Sequence, residues 1–491
     1  MKCMVVAIAA CRRGDRVIAV LSAGLATLGI CVFPASAQVA RYETGLNPSS
    51  IAVGDLNADG RLDMAIANYG GYAPPYNGSV SISLGRADGT FELRRDYETG
   101  DASTNLTMAD LNGDSRLDLV VANYGADGAT LGSISVLLGN GDGTVQPRTN
   151  YSAGVGPYCV TVADVNGDGG PDLVATNWNS STVSVLLGRG DGTFGSSSNF
   201  GTGDTPKVVA VGDFDGDHKL DLAVANVGTN TISVLRGRGD GTFAARVDCV
   251  VGRAPSSVAS VDLNQDGRLD LVVARVVADS VSVLLGNGDG SFGVPRVFKT
   301  GSNPWQMTID DVNADRLPDV VTANSDGTVS VLLGRGDGLL EESHDYGVGN
   351  EAMSVAVGDI DGDGRVDLLA ACNGRPPGIV AVLLGNADGS FGPAVAPAAG
   401  YDFQLLSLTP NPTRGAFRAI FSIPWESSVR ISVFDITGRR VGAISDYEYP
   451  RGTYATTLDA TAWRVGMTAQ VFFVRFEWPR GQITRKVALT P

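Results

Sequence analysis

Between residues 38 and 400 the apolar positions come in short runs, and the breaks between runs are built from Gly, Asp and Asn. The stretch from 207 to 251 shows the unit. Lys207 to Gly212 (KVVAVG) leads into an acidic loop, then come Leu220 to Ala225 (LDLAVA) and Thr231 to Leu235 (TISVL). A Gly239-Asp240-Gly241 turn follows, and a last run from Phe243 to Val251. Extended chain puts successive side chains on opposite faces, so short alternating or apolar runs between Gly/Asp turns predict strands. No segment sustains a 3.6-residue apolar period, so helices are not expected. The unit occurs seven times, at spacings of 48 to 55 residues. That period predicts a propeller with one four-stranded blade per repeat.

Each unit is marked by a nonapeptide, first seen as Asp55-Leu-Asn57-Ala-Asp59-Gly60-Arg-Leu-Asp63 and predicted to join the first two strands of its blade. Places one, three, five and nine carry Asp or Asn in every copy. After Asp55, Asn57, Asp59 and Asp63 these are Asp110, Asn112, Asp114 and Asp118, then Asp164, Asn166, Asp168 and Asp172. Next come Asp213, Asp215, Asp217 and Asp221, then Asp262, Asn264, Asp266 and Asp270. The last two copies supply Asp311, Asn313, Asp315 and Asp319, and Asp359, Asp361, Asp363 and Asp367. Oxygens at alternate places of a tight loop converge on one point, which suits Ca²⁺ and its roughly six to eight oxygen ligands. Carboxylates about 5 Å apart repel by roughly 3 kcal/mol per pair at an effective dielectric near 20, so a cation relieves strain. A single copy reads as a solvated turn; seven in register read as metal loops. The loop opens like an EF-hand, but Ile66 stands where that motif needs Glu at place twelve.

The paired signatures, VGDLNADGRLD at 53–63 and SVLLGRGDGTF at 184–194, recur in order along residues 38 to about 400. This resembles FG-GAP (VCBS) repeats, the units of the integrin α-subunit propeller. The resemblance implies a seven-bladed propeller that binds up to seven structural Ca²⁺ ions. It adds as ligands the place-seven carbonyls of Arg61, Arg116, Gly170, Lys219, Arg268, Leu317 and Arg365. Place six is usually Gly in that family; here Ser115, His218 and Arg316 hold it in three repeats. If that place needs a positive φ, each costs about 1 kcal/mol or more and the sites are weaker, most of all in repeat six, which also has Pro318. Gln38 to Thr44 looks like an outer strand with no blade before it, and is expected to pair into blade seven and lock the ring. Phe391 to Ala399, Pro/Ala-rich, is a poor candidate for that place.

After Gly400 the pattern stops. Strands are predicted at Ala416–Ile423, Val429–Asp435, Val471–Phe476 and Ile483–Leu489, enough for a small β-sandwich over 401–491. Its outline (PNP, VFDITGRRV, FFVRFEWPRGQITRKVAL) resembles the Ig-like C-terminal sorting domain of type IX secretion cargo, with extra residues at Gly466 to Val471. The resemblance implies passage through an outer membrane; a purely structural Ig-like module is the alternative. The fold class is therefore all-β, a seven-bladed propeller followed by an Ig-like sandwich.

Charge and cysteine sharpen this picture. Net charge is −16, where a nucleic-acid binder needs a basic footprint. More than two fifths of the 53 acidic residues lie in the seven loops, so the acidity is ligand chemistry rather than a solvating tail. Basic residues ahead of an apolar run from Val17 to Phe33, then Ala35-Ser36-Ala37, read as a signal peptide over 1–37, and no later run is apolar enough to span a bilayer. A secreted or outer-surface monomer is expected. Cleavage would leave Cys159, Cys249 and Cys372, at non-equivalent places, which predicts buried free thiols rather than disulfides.

Binding is expected on the face away from the acidic loops, where repeats one and two carry extra residues, from Tyr69 to Gly78 and Tyr124 to Gly132. Tyr69, Tyr124 and Trp178 occupy matching places in three successive blades, and Tyr158 and Trp305 are expected in blade-to-blade loops on that face. Such rings suit sugars or a protein partner; wedging between blades is the alternative. Three Arg-Gly-Asp tripeptides (189–191, 238–240, 335–337) read as hairpin chemistry, and the Asn recurring after the second strand reads as a turn former. With only His218 and His344, neither a Ser/His/Asp triad nor a His-bound transition metal is expected. The expected function is a non-catalytic Ca²⁺-binding protein that binds an extracellular protein or glycan. The alternative is a lectin or polysaccharide lyase. A lyase would need a basic group, and Arg275 is the oddity at an otherwise Asn position.

Overall fold

The computed structural model describes residues 40–71, 77–126, 131–373, 378–386 and 389–393, the strands of a C-terminal unit between 404 and 488, and two paired dipeptides at 11–12 and 17–18. The chain divides into two compact units, Met1–Ala396 and Pro397–Pro491. The rest of the signal-peptide stretch, residues 72–76 and 127–130 of the long loops, and 466–470 lie outside the described residues.

Seven antiparallel sheets form the blades of the first unit. Blade one pairs Pro48–Gly54, Asp63–Asn68, Ser79–Ser83 and Arg95–Glu98 in sequence order. Blade four pairs Pro206–Gly212, Asp221–Asn226, Thr231–Leu235 and Val247–Val250, close to the predicted runs. In six of the seven blades every residue of the second strand is buried, as in Asp221–Asn226, while the outer strands are mostly exposed. That difference is the packing rule of the ring. Each sheet is covered on both faces by its neighbours, so inner strands read as continuous apolar runs and outer ones do not. The cores therefore lie between blades: Val120, Ala122 and Ile134 of blade two pack with Val160, Leu173 and Phe194 of blade three.

Blade seven closes as the sequence predicts. Ala352–Gly358, Asp367–Cys372 and Ile379–Gly385 are joined by the N-terminal strand Ala40–Glu43, with Ala40 opposite Val382 and Glu43 opposite Ile379. Phe391–Pro393 pairs the other end of Ile379–Gly385. It repeats the isolated bridge that follows the third strand elsewhere, such as Gly85 with Phe91. At the rim, an aromatic of one outer strand meets the turn aromatic of the next blade edge to face. Examples are Tyr151 with Phe194 and Tyr346 with Phe391. Tyr42 does this for the closing strand, 1% exposed and with its centroid 5.2 Å from that of Phe91. Tyr42→Ala is expected to cost about 3 kcal/mol in denaturant unfolding, the range for large aromatic deletions in a core. A loss below about 1 kcal/mol would mean that this strand does not hold the ring shut.

Among the described residues the second unit has seven strands in two sheets. One orders Gln404–Thr409, Ala416–Ile423 and Gly452–Asp459; the other orders Arg440–Tyr449, Ser427–Phe434, Val471–Trp478 and Gly481–Ala488. Ile431 and Val433 are buried opposite Phe476 and Val474. Sequence reading missed Gln404–Thr409, Arg440–Tyr449 and Gly452–Asp459.

Candidate functional site

The acidic loops join the ends of the first strands to the starts of the second. In repeat two, Asp110 Oδ1 accepts the N–H groups of Asn112, Gly113 and Asp114 at 3.2, 2.8 and 3.2 Å, and Oδ2 accepts that of Ser115 at 2.7 Å. Asn112 Oδ1 accepts the Asp114 N–H and Asp114 Oδ1 that of Arg116, so the loop curls around its own oxygens. Place six has positive φ in all seven copies, including Ser115 (65°), His218 (64°) and Arg316 (69°). The condition set by the sequence is thus met. Place four is also left-handed, which sequence reading missed, and Ala58, Gln265 and Ala314 hold it without the freedom of glycine. Repeat six carries two such residues, a strain of roughly 2 kcal/mol or more.

Every donor side chain in these loops is an oxygen, the set that a hard cation takes, and the residues fit Ca²⁺. In repeats four and seven, three carboxylates (Asp213, Asp215, Asp221 and Asp359, Asp361, Asp363) have oxygens within 4.8 Å of one another. The place-five acids also meet basic place-seven side chains: Lys219 Nζ lies 2.8 Å from Asp217, and Arg61 and Arg365 contact Asp59 and Asp363. An incoming cation would share or displace those partners.

The ninth Asp has a second role that the sequence did not reveal. All seven are at most 1% exposed. One oxygen accepts the place-two N–H and the other the N–H of the glycine that opens the turn after the third strand. In repeat three, Asp172 accepts from Val165 at 3.0 Å and from Gly188 at 2.7 Å. The same pair of bonds is made by Asp63, Asp118, Asp221, Asp270, Asp319 and Asp367. A Cβ on Gly188 would lie 2.2 Å from the Pro171 carbonyl, so only glycine allows this approach. Burial, aided by neighbouring carboxylates, raises all seven acids, with Asp319 and Asp367 pushed up to about 6.

On the opposite face, each inner strand carries a β-bulge at its second residue. Bulges re-aim side chains, and here the bulged residues include Tyr158, Lys207, Trp305 and Met353. Tyr158 and Trp305 thus belong to inner strands, not to the blade-to-blade loops where the sequence reading put them. The twist of the bulge, which leaves no local signature, accounts for the difference. These four residues border a cavity of about 440 Å³ together with Tyr69, Tyr124 and Trp178. All five aromatics are half-buried rather than shut between blades. Tyr158 and Trp178 stack with centroids 5.1 Å apart, and Asn179 Nδ2 donates to the Tyr124 hydroxyl at 2.7 Å.

Beneath the rings, side chains bind the next blade's backbone. Gln306 Oε1 accepts the Val355 N–H, Ser354 Oγ that of Ile51, Ser50 Oγ that of Leu106, and Asn105 Oδ1 that of Val160. Lys207 is the residue that sequence reading overlooked. It is 4% exposed, its Nζ lies 3.6 Å from the Trp305 ring centroid and 5.7 Å from that of Tyr158, and it donates to the Trp305 carbonyl at 3.2 Å. Desolvation brings its pKa down to about 7. Aligning the seven inner strands would have exposed it, because it is the one charged residue at the bulge position.

Other candidates resolve into structure. Asn68, Asn123, Asn177, Asn226 and Asn324 are buried, and each donates to a third-strand serine, as Asn226 does to Ser233 at 2.8 Å. They clasp the blade instead of merely forming a turn. Arg275 takes that place in blade five, donates to Ser280 Oγ at 2.9 Å, and does not border the cavity. In the Arg-Gly-Asp turn at 189–191, Asp191 accepts from Thr193 and Arg189 donates to the Phe194 carbonyl. Cys159 and Cys372 are buried free thiols, as expected; Cys249 is free but only half-buried.

Fold and site together define a seven-bladed β-propeller with acidic loops on one face and an aromatic cavity on the other. A model described as FG-GAP-like repeat matches residues 55–121, 110–175, 164–224, 219–273, 262–321 and 311–370, well over half of the chain. The chain belongs to this FG-GAP-like repeat family. No curated protein matches it. Among solved structures it is similar to BBS1N, crystallised in complex with ARL6DN, at 15% identity or less: 14% identical over 70% of this chain and 97% of that one, TM-score 0.48. It is also similar to a candidate 6-phosphogluconolactonase from Bacteroides fragilis, at 17% identity over 63% and 86%, TM-score 0.49. The periplasmic gluconolactonase PpgL of Pseudomonas aeruginosa matches at 16% over 68% and 92%, TM-score 0.44. Likeness of this degree carries no argument about activity.

Proposed function

We propose that this protein is a secreted or cell-surface Ca²⁺-binding propeller, without catalysis of its own, whose axial cavity captures an extracellular glycan or protein ligand. The observation that carries the reading is convergence. Tyr69, Tyr124 and Trp178, at matching places of three blades, border one cavity with Tyr158 and Trp305. Its volume of about 440 Å³ falls within the usual range of ligand pockets. Flat faces of this kind suit sugar rings or an apolar side chain of a partner. No Asp, Glu or His borders the cavity among the described residues; its titratable groups are Lys207, Cys159 and the tyrosines. Calcium has a structural part in this reading: it neutralises the acidic loops on the other face and stiffens the disc. The export and sorting segments read from the sequence support a place outside the cell.

Glycan and protein-binding screens with Ca²⁺ present test the reading. Tyr69→Ala, Tyr124→Ala and Trp178→Ala combined are expected to abolish capture of whatever the wild type retains, with an unchanged melting temperature. Retained binding in that triple variant would rule out the cavity.

A further inference from the structure

We infer that the axial cavity selects a sugar ring bearing a single negative charge, a uronic-acid residue, with Lys207 as the group that meets the anion. This deepens the binding reading above and rests on it.

Charge placement points first to an anion. The chain is strongly acidic, yet the cavity has no carboxylate on its wall among the described residues, and Lys207 is its one cation. Its ammonium is almost fully buried, and the one acceptor shown for it is the Trp305 carbonyl. A buried cation without a counter-charge is costly, and burial accordingly weakens its hold on the proton. An incoming carboxylate supplies the missing partner, and a charge-assisted hydrogen bond in a desolvated setting is a strong one.

Shape points to a ring. Trp305 and Tyr158 flank the ammonium, and Trp178 stacks against Tyr158 on the same cavity wall. These faces stack on the apolar face of a sugar, as they would on an aromatic acid. Asn47, Ser49, Thr104 and Asn373 border the same space. The Ser49 and Thr104 hydroxyls donate to backbone carbonyls and keep lone pairs for the hydroxyls of a ring, which a bare aromatic acid would not use. The position tolerates change, since Met353 occupies the equivalent bulge in blade seven.

Protonation sets the sign of the pH dependence. The titratable groups facing Lys207 are the Tyr158 phenol and Cys159 thiol of the adjoining inner strand, with the Tyr69 and Tyr124 phenols across the cavity. Burial pushes the first two up, Cys159 to about 11, so they stay neutral near pH 7. The sugar carboxylate remains ionised throughout. Affinity for it should therefore be full below the value of about 7 that Lys207 has in the ligand-free protein, and fall roughly tenfold per pH unit above it.

The test titrates the full chain in Ca²⁺ buffer with methyl glucuronide, methyl glucoside and benzoate, read by calorimetry and tryptophan fluorescence. The glucuronide is expected to bind at least about tenfold more tightly than the glucoside at pH 6, with the gap closing by pH 9. Lys207→Met should erase the gap; Lys207→Arg should keep a preference for the anion and lose the pH dependence, because arginine stays charged. Equal binding of both glycosides, or a preference that survives Lys207→Met, overturns the inference and leaves the cavity reading standing. Tighter binding of benzoate overturns the choice of a sugar. If none of the three probes binds, the inference falls, and the ligand screens on the same protein decide whether the cavity reading falls too.

Discussion

Asp172→Ala is expected to destabilise the propeller by about 3 kcal/mol even in chelator. It removes both acceptors of two buried backbone N–H groups, from Val165 and Gly188, and an orphaned buried donor costs about 1–3 kcal/mol. The chelator matters because it separates the two roles of this acid. A residue acting only through Ca²⁺ would show no loss once the ion is gone. Asp168→Asn, at place five of the same loop, is the internal comparison. Its Oδ1 accepts the Gly170 N–H, which an amide oxygen can still do, and the bond its Oδ2 takes from Asn166 Nδ2 is exposed to water, so in chelator it should melt close to wild type. With Ca²⁺ restored it should gain less stability than wild type. Should Asp172→Ala also match wild type in chelator, the clamp account is wrong.

Calcium removal should lower the melting temperature clearly at pH 7.5 and much less at pH 5. Asp319 and Asp367 have folded values near 6, above the ordinary 3.8, chiefly through burial. In the metal-free protein they contribute stability that is fully present below about pH 4 and lost as pH rises through about 6. Metal-free protein is thus weakest at the higher pH. The ion has the opposite preference, because it binds ionised carboxylates and competes with protons below about 6. The gap between Ca²⁺-loaded and chelated melting curves should therefore widen with pH. By mass action each site filled to a hundred times its dissociation constant adds about 2.7 kcal/mol. Long-range repulsion of the acidic chain shifts the metal-free curve the same way, so the scans belong at high salt, which screens it and not the buried pairs. A melting temperature indifferent to chelator at pH 7.5 would refute the metal assignment.

Much of the fold was legible because its signals are local and repeated. Gly/Asp turns and short apolar runs mark the strands of each blade, and the period counts the blades. The unpaired run ahead of the first repeat announced the closing strand, which the Ala40–Glu43 register bears out. The site was legible only in part. Tyr69, Tyr124 and Trp178 declared themselves by matching places, but Lys207 did not, although it stands at the same bulge as Tyr158 and Trp305. Asn226 looked like a turn residue because its serine partner lies across the sheet and its burial comes from the neighbouring blades.

From its sequence alone this protein was bound to be a ring of seven small sheets with oxygen-rich loops at one set of strand ends. Turn chemistry, alternation and period are properties of neighbours in the chain, and each was repeated often enough to outweigh any single exception. Where the rings meet was decided only by closure. Residues about fifty places apart come together around the axis because bulged inner strands aim them there, and no local pattern encodes a bulge. The same closure buries Lys207, with no acid on its cavity wall among the described residues. It also buries each ninth aspartate, whose two bonds lie within its own blade and are desolvated only once that blade has a neighbour on both sides.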